Sequence, residues 1–132
     1  MHMEIRLFSS LEKIFWDEEP QVAETCRLSA LRGERVSFQV ACCVDVNHVQ
    51  TAVEASCSLG TPAVYEVGQV PVTFPTYTTH DSDYLRTVPG LYPDPLYPHA
   101  NRWDLAHGQW RCLWISLLIP ADAPAGEATV TV

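Results

Sequence analysis

Positive charge is scarce in this chain, and almost all of it is arginine. Lys13 is the single lysine, and 8 Lys and Arg residues stand against 16 Asp and Glu residues, which leaves a net charge of −8. Nucleic acids and anionic lipid surfaces both bind proteins through clustered positive charge. The composition therefore argues against nucleic acid and membrane-surface partners.

Long apolar runs are also missing. The longest stretch without a charged residue, 67–80, has 14 residues and is interrupted by one glycine and two prolines, whereas a membrane-spanning helix needs about 20 apolar residues. Near the N-terminus, Glu4 and Arg6 occupy the place where a secretory signal has its apolar segment. The sequence predicts a cytoplasmic protein without a membrane span, or a secreted one only if a signal segment has been removed.

Motifs that bind metals, nucleotides or cofactors are absent as well. No Cys-x-x-Cys or His-Glu-x-x-His spacing occurs, and the six glycines are scattered rather than grouped in a phosphate-binding loop. The five cysteines lie in apolar runs, which is typical of reduced core residues; they are Cys26, Cys42, Cys43, Cys57 and Cys112. Burial raises the pKa of a thiol and weakens it as a nucleophile. We therefore expect no metal, no cofactor and no catalytic cysteine.

What the chain does contain is a regular β-strand pattern. Its 132 residues, 47% hydrophobic and 18% charged, have the composition of one globular domain over 1–132. Short runs alternate between apolar and polar residues with the period of two that strands require. In the clearest run, 34–45, five residues share one face: Val36, Phe38, Val40, Cys42 and Val44. About eight such runs and almost no helix predict an all-β fold, a two-sheet antiparallel β-sandwich.

The last third of the chain carries two strand predictions. Segment 110–119 is apolar on both faces, which favours a strand in the middle of a sheet that is covered on each side. Segment 127–132 alternates again, and we expect it to form a hairpin with 110–119. Because the sequence stops within this run, we expect the natural polypeptide to continue beyond Val132.

The N-terminal third gives weaker patterns. Two runs place apolar side chains on one face, Met3, Ile5 and Leu7 in the first and Cys26, Leu28 and Ala30 in the second. Ser9 and Glu12 fit a capping box, so segment 9–19 is predicted to form at most one or two helical turns before Pro20.

A long segment, 74–109, breaks the strand rhythm and is rich in proline and aromatic residues. We expect an ordered loop, because connections of this length are usually functional and this composition is unlike that of disordered chains. Its aromatic rings form either a platform for a sugar or a surface that packs on another domain, and we favour the second alternative. These rings are Tyr77, Tyr84, Tyr92, Tyr97 and Trp103. Asp94 lies between two prolines and is expected to fix the loop through hydrogen bonds rather than to contact a ligand.

Several of these segments together resemble a known family. They are Arg32-Gly33-Glu34, Ser37-Phe38-Gln39, Tyr92-Pro93-Asp94-Pro95-Leu96, Leu113-Trp114-Ile115, Ile119-Pro120 and Pro124-Ala125-Gly126. In content and order they resemble the N-terminal β-sandwich domain of glycoside hydrolase family 123 and its uncharacterised relatives. The resemblance implies that a downstream (β/α)-barrel, which follows this domain in the family, performs the chemistry with an adjacent Asp-Glu pair. It also implies a non-catalytic accessory domain of a protein that acts on glycans, with N-acetylhexosaminides as candidate substrates.

Carboxylates within the chain offer an alternative. Glycoside hydrolysis usually needs two carboxyl groups across a sugar, and the long segment supplies Asp81, Asp83 and Asp94. Since Asp81-Ser82-Asp83 is ordinary turn chemistry, we expect no catalytic residue here. Asp17-Glu18 has the same two residues as the family's catalytic pair, but it lies in a different domain and is not expected to be catalytic. Three hypotheses therefore stay open: an accessory domain that self-associates when isolated, a stand-alone carbohydrate-binding module, and a small hydrolase.

Overall fold

The computed structural model describes residues 1–21, 27–99 and 101–132, and these residues form strands and turns without a helix. Nine strands occur in the described residues: β1 (Met3–Ser9), β2 (Arg35–Val44), β3 (His48–Ala52), β4 (Ser56–Cys57), β5 (Ala63–Val72), β6 (Gly90–Pro98), β7 (Arg102–Leu105), β8 (Arg111–Leu118) and β9 (Val130–Thr131). All six ladders between them are antiparallel. The all-β prediction is confirmed.

The strands form one large sheet and two small pairs, not the two sheets that the sequence predicts. The large sheet has the order β1-β2-β8-β5-β6, and the pairs are β3-β7 and β4-β9. Strand β8 lies in the middle of the large sheet, as its apolar composition predicts. Strands β1 and β6 are its two edges.

A hydrophobic core lies on each face of the large sheet around β2 and β8. One face of β2 packs with side chains of β7 and β8 in a core formed by Phe38, Val40, Cys42, Val44, Trp103, Leu105, Leu113 and Ile115. The other face forms a second core from Phe8, Ile14, Ala41, Val67, Trp110 and Cys112. The face predicted for 34–45 is therefore confirmed, and the opposite face of the same strand is buried as well.

In β1, Met3, Ile5 and Leu7 share one face as predicted, but that face is only partly buried. Ile5 and Leu7 are 59% and 40% exposed, whereas Phe8, on the other face, is buried. The reason is that β1 is an edge strand: only Met3 of the three packs against the first core. Ile14, in the turn segment after β1, joins Phe8 in the second core.

Three other local predictions fail. Segment 127–132 does not pair with β8, because β2 and β5 occupy both sides of β8; its short strand β9 pairs with β4 instead. Residues 27–31 form no strand, and Cys26 lies outside the described residues. Segment 9–19 forms turns and no helix. The N–H of Glu12 donates to the carbonyl of Ser9. The side-chain amide of Gln39 donates to the carbonyls of Ser9 and Glu12, at 3.0 and 2.7 Å.

The predicted loop 74–109 contains two strands, β6 and β7, and only 73–89 connects β5 to β6 without a strand. The motif Tyr92-Pro93-Asp94-Pro95-Leu96 belongs to β6, an edge strand, where missing proline N–H groups are tolerated. Its ladder with β5 shifts between Leu96 and Pro93, so two residues, Asp94 and Pro95, oppose Gly68 in a β-bulge. A Cβ atom at Gly68 would lie 2.4 Å from Cε2 of Tyr97, so only glycine lets this ring lie across β5.

The four cysteines in the described residues are free. Cys42 and Cys112 are buried, and burial raises the pKa of the Cys42 thiol to about 12. Cys42 and Cys43 point to opposite faces of β2, as their adjacency in a strand predicts. High thiol pKa values make these groups weak nucleophiles.

Candidate binding groove

A groove of about 330 Å³ opens where the chain leaves β5 and returns as β6. We call it the Arg86 groove. Its walls come from the turn segment after β1, the end of β5, the 73–89 connection and the start of β6; the lining residues are Lys13, Phe15, Val72, Pro75, Tyr84, Leu85, Arg86, Tyr92 and Pro93. The volume is at the lower end of the range for small-molecule sites.

Arg86 holds this region together. Its guanidinium lies over the ring of Phe15 at 3.8 Å and donates to the carboxylates of Asp17 and Glu18, both at 2.8 Å. The Arg86 side chain is only 10% exposed. Burial by itself would lower the pKa of Arg86, but the hydrogen bonds that it donates to Glu18 and Asp17 outweigh this effect, so the pKa is raised. The arginine therefore stays charged and ties the turn segment to the 73–89 connection.

Tyr92 closes the other end of the connection. Its hydroxyl donates to the carbonyl of Val88 at 2.6 Å and lies 3.3 Å from the carbonyl of Arg86. Its ring meets Phe15 edge to face, with centroids 5.6 Å apart. Such a pair is worth about 0.5–1.5 kcal/mol beyond the area it buries. Tyr92 is thus a structural clamp as well as a wall of the groove.

The chemistry of the groove is apolar and cationic. No carboxylate is among the described residues that line it; Asp17 and Glu18 contact Arg86 and are not lining residues. Lys13 is exposed at the rim and has no ion pair with any described residue. The groove is suited to hold a flat apolar group against its rings, such as the face of a sugar or a side chain of another domain.

The structure separates the aromatic residues predicted to form one surface. Tyr84 and Tyr92 line the groove. Tyr77 is 74% exposed and contacts Phe74, while Tyr97 lies over Gly68. Trp103, predicted to lie on the same surface, is 4% exposed and belongs to the first core. The placement of Trp103 was wrong because aromatic content does not distinguish a core ring from a surface ring.

The predicted carboxylates do not converge. Asp81 accepts the N–H of Asp83 at 3.1 Å, which is a local turn. Asp94 is exposed on β6 and has no hydrogen-bond partner within the described part of the chain, so the hydrogen bonds expected to fix a loop are not found. Nor do three His, Cys, Asp or Glu side chains of the described residues come together in a way that would hold a metal ion. No described helix is long and apolar enough to cross a bilayer.

Sequence reasoning missed the residues that build the groove, Phe15 and Arg86. A usable signal was present: Arg86 is the only Lys or Arg between residues 74 and 101, and the run Asp17-Glu18-Glu19 follows two aromatic residues. A cation that becomes buried needs a carboxylate partner. Asp81, Asp83 and Asp94 lie nearer to Arg86 in the sequence than Asp17, which is 69 residues away, so the sequence does not identify the partner.

Comparison with protein-family models found no match, and comparison with curated proteins found none either. Among solved structures, the chain is similar to a family 123 glycoside hydrolase from Clostridium perfringens, whose structural analysis concerns glycolipid glycan hydrolysis. The TM-score is 0.69 and the identity 12%. The match covers 98% of this chain but only 24% of that chain, so this chain spans about a quarter of the length of that enzyme. At this identity the likeness shows a common fold.

Proposed function

We propose that this chain is a non-catalytic accessory domain of a glycoside-hydrolase-like protein. The observation that carries the proposal is the fold match, in which nearly the whole chain corresponds to a quarter of a glycoside hydrolase. The described residues that line the Arg86 groove include no carboxylate, whereas glycoside hydrolysis usually requires a carboxyl pair, and this is consistent with the proposal. The domain would support a downstream catalytic barrel that acts on glycans, with N-acetylhexosaminides as the proposed substrates.

The surface proposed to dock on the barrel is the apolar side of the 73–89 connection and β6. Its large hydrophobic side chains are between 41% and 74% exposed: Phe74, Tyr77, Tyr84, Leu85, Val88, Leu91, Leu96 and Tyr97. Exposed apolar and tyrosine side chains in this number are typical of interfaces between domains. The free cysteines fit a reducing compartment, so we assign the domain to the cytoplasm.

The accessory role is tested first by reading the coding sequence on both sides of this segment. We expect it to continue past Val132 into alternating strand and helix segments. The encoded barrel is then expressed separately and mixed with this chain. Complex formation should weaken at least tenfold in the Leu85→Ser, Tyr97→Ser double variant and be unchanged in Val49→Ser, an exposed apolar residue of β3. A reading frame without a barrel, or a barrel that ignores this chain, would contradict the proposal.

A stand-alone carbohydrate-binding module is the second candidate, and the Arg86 groove favours it. Tyr84 is 49% exposed and lines the groove with Tyr92 and Lys13. The apolar faces of sugars stack on such rings. Titration with N-acetylhexosamine oligosaccharides should show binding that Tyr84→Ala abolishes and Tyr77→Ala leaves intact, since Tyr77 lies outside the groove lining. Equal loss in both variants, or no binding by the unmodified chain, would exclude this candidate.

A further inference from the structure

The outer side of β1 has a regular pattern of backbone groups that point away from the sheet. The N–H of Asp45 donates to the carbonyl of His2, which makes this residue pair a hydrogen-bonded one in the antiparallel ladder. Such pairs alternate, so Glu4 and Arg6 also direct their backbone groups toward β2. The N–H and carbonyl groups of Ile5 therefore point outward, as do those of its odd-numbered neighbours in β1.

These outward groups have no partner among the described residues. β1 is the end of the sheet order, and no backbone hydrogen bond between described residues uses the outward groups of Met3, Ile5 or Leu7. Ile5 and Leu7 are also exposed through their side chains. An edge strand with seven regularly paired residues and no proline is a template for another strand.

We propose that β1 pairs antiparallel with β1 of a second copy of this chain, centred on Ile5. Hydrogen bonding between two outward edges requires odd-numbered residues to face odd-numbered residues. With Ile5 opposite Ile5, Met3 lies opposite Leu7 and these apolar side chains share one face. On the other face, Glu4 of each copy lies opposite Arg6 of the other copy. The Arg6 side chain is 16% exposed and already paired with Glu4 and Glu19 of its own chain, so this register keeps opposite charges side by side without needing a new ion pair. The pairing is therefore complementary in apolar character and matched in charge.

The neighbouring registers lack this complementarity. A shift of two residues in one direction places Glu4 opposite Glu4, and a shift in the other direction places Arg6 opposite Arg6. Side chains are closest in the pairs without backbone hydrogen bonds, and like charges directly opposite each other destabilise a ladder. The register centred on Ile5 is thus selected by the sequence of β1 itself.

The other edge of the sheet limits the assembly to two copies. β6 carries Pro93, Pro95 and Pro98, and a β-bulge lies between Leu96 and Pro93. Prolines lack the N–H that strand addition requires, and a bulge distorts the ladder. The dimer would contain one continuous ten-stranded sheet, closed by β6 at each end. Its symmetry is two-fold, so it does not propagate into fibres.

The association can be tested by sedimentation and light scattering of the full 132-residue chain. The measurements are made at moderate salt, because salt screens the repulsion between two chains of net charge −8. We expect the dimer fraction to rise across about a hundredfold range of concentration. Ile5→Lys should give a monomer throughout, because two ammonium groups would then face each other. Val49→Lys, at a 69% exposed position of β3, should dimerise normally. A chain that stays monomeric, or a dimer that Ile5→Lys does not affect, would overturn the proposal.

Disulfide trapping tests the register. The Cα atoms of a hydrogen-bonded antiparallel pair are about 5.5 Å apart, which a disulfide can bridge. Ile5→Cys should form a covalent dimer under mild oxidation, whereas Leu7→Cys should not, because Leu7 faces Met3 of the other copy. Two controls detect disulfides formed by the native cysteines. One is the unmodified chain under the same oxidation, and the other is a peptide map of the crosslinked dimer. Crosslinking through position 7 but not position 5 would contradict the proposed pairing.

Discussion

The two edges of the large sheet are held in similar ways but differ in what they offer to another chain. Arg6 on β1 lies 4.7 Å from the ring centre of Trp110 and donates to Glu4 and Glu19. Arg86, beside β6, is held in the same manner by one ring and two carboxylates. The turn segment after β1 thus supplies carboxylates to both arginines. The prolines and the bulge of β6 have no counterpart in β1, so the backbone of β6 is less able to accept another strand.

A proline placed in β1 would make it resemble β6, and its effect depends on which residue is replaced. Glu4→Pro removes an N–H that faces β2, and we expect a loss of about 3 kcal/mol in the free energy of unfolding, from the lost ladder bond, the Cys43 carbonyl left without this donor and the lost contact with Arg6. Ile5→Pro removes an outward N–H and should cost much less. Urea denaturation of both variants measures the difference. Equal losses would show that the assignment of inward and outward groups in β1 is wrong.

The turn after β1 depends on one buried amide. Gln39 is 3% exposed, donates to the carbonyls of Ser9 and Glu12, and accepts from the Cys112 thiol at 3.3 Å. Gln39→Leu leaves those carbonyls without this donor, and we expect a loss of about 2 kcal/mol. The matched control is Gln69→Leu in β5, whose amide oxygen is buried without a partner among the described residues. That variant should be neutral or stabilising, and a larger loss there than at Gln39 would contradict the proposed role of the amide.

The closed edge can be disturbed from its neighbour β5. Gly68→Ala would place a methyl group 2.4 Å from the Tyr97 ring and 3.0 Å from Cγ of Pro95. The exposed tyrosine ring can rotate away but the proline cannot, so we expect a loss of about 1 kcal/mol in unfolding free energy. Gly60→Ala meets only ordinary contacts, the nearest at 3.8 Å, and serves as the control. If Gly60→Ala costs as much as Gly68→Ala, the bulge does not depend on the missing side chain.

The sequence predicts the parts of the fold that local patterns determine. The alternation in β2 and the doubly apolar run in β8 identify central, buried strands, because both signals belong to single strands. The partners of β9 could not be predicted, since pairing joins residues far apart in sequence and β4 has only two residues. The exposure of Ile5 follows from its place at an edge, which no pattern within β1 specifies.

The candidate site is less predictable than the fold. Tyr84 and Tyr92 were identified because tyrosines are suited to surfaces that are partly apolar. Trp103 fits the same rule but lies in the core. The contact between Arg86 and Asp17 depends on how the 73–89 connection folds back over the turn segment, and neither segment has a period that reveals its path.

The smallest expected effect concerns the ion pairs of Arg86. The hydrogen bond from Arg86 lowers the pKa of Asp17 below its ordinary value of 3.8. A carboxyl group with a lower pKa in the folded state stabilises the fold fully above its unfolded pKa, and this contribution is lost as the pH falls through the folded pKa. Because the Asp17 side chain is 74% exposed, solvent screens the pair and the effect should stay within about 1 kcal/mol.

Thermal unfolding of Asp17→Asn across the acid range measures this contribution. The variant should melt below the unmodified chain at about pH 6, and the two curves should converge as the pH falls through the folded pKa of Asp17, which lies below 3.8. Asp94→Asn, on the exposed side of β6, controls for a general loss of negative charge and should show no such convergence. A difference between Asp17→Asn and the unmodified chain that persists in strong acid would mean that the asparagine disturbs packing. The edge beside β6 would then depend on the shape of this contact and not on its charge.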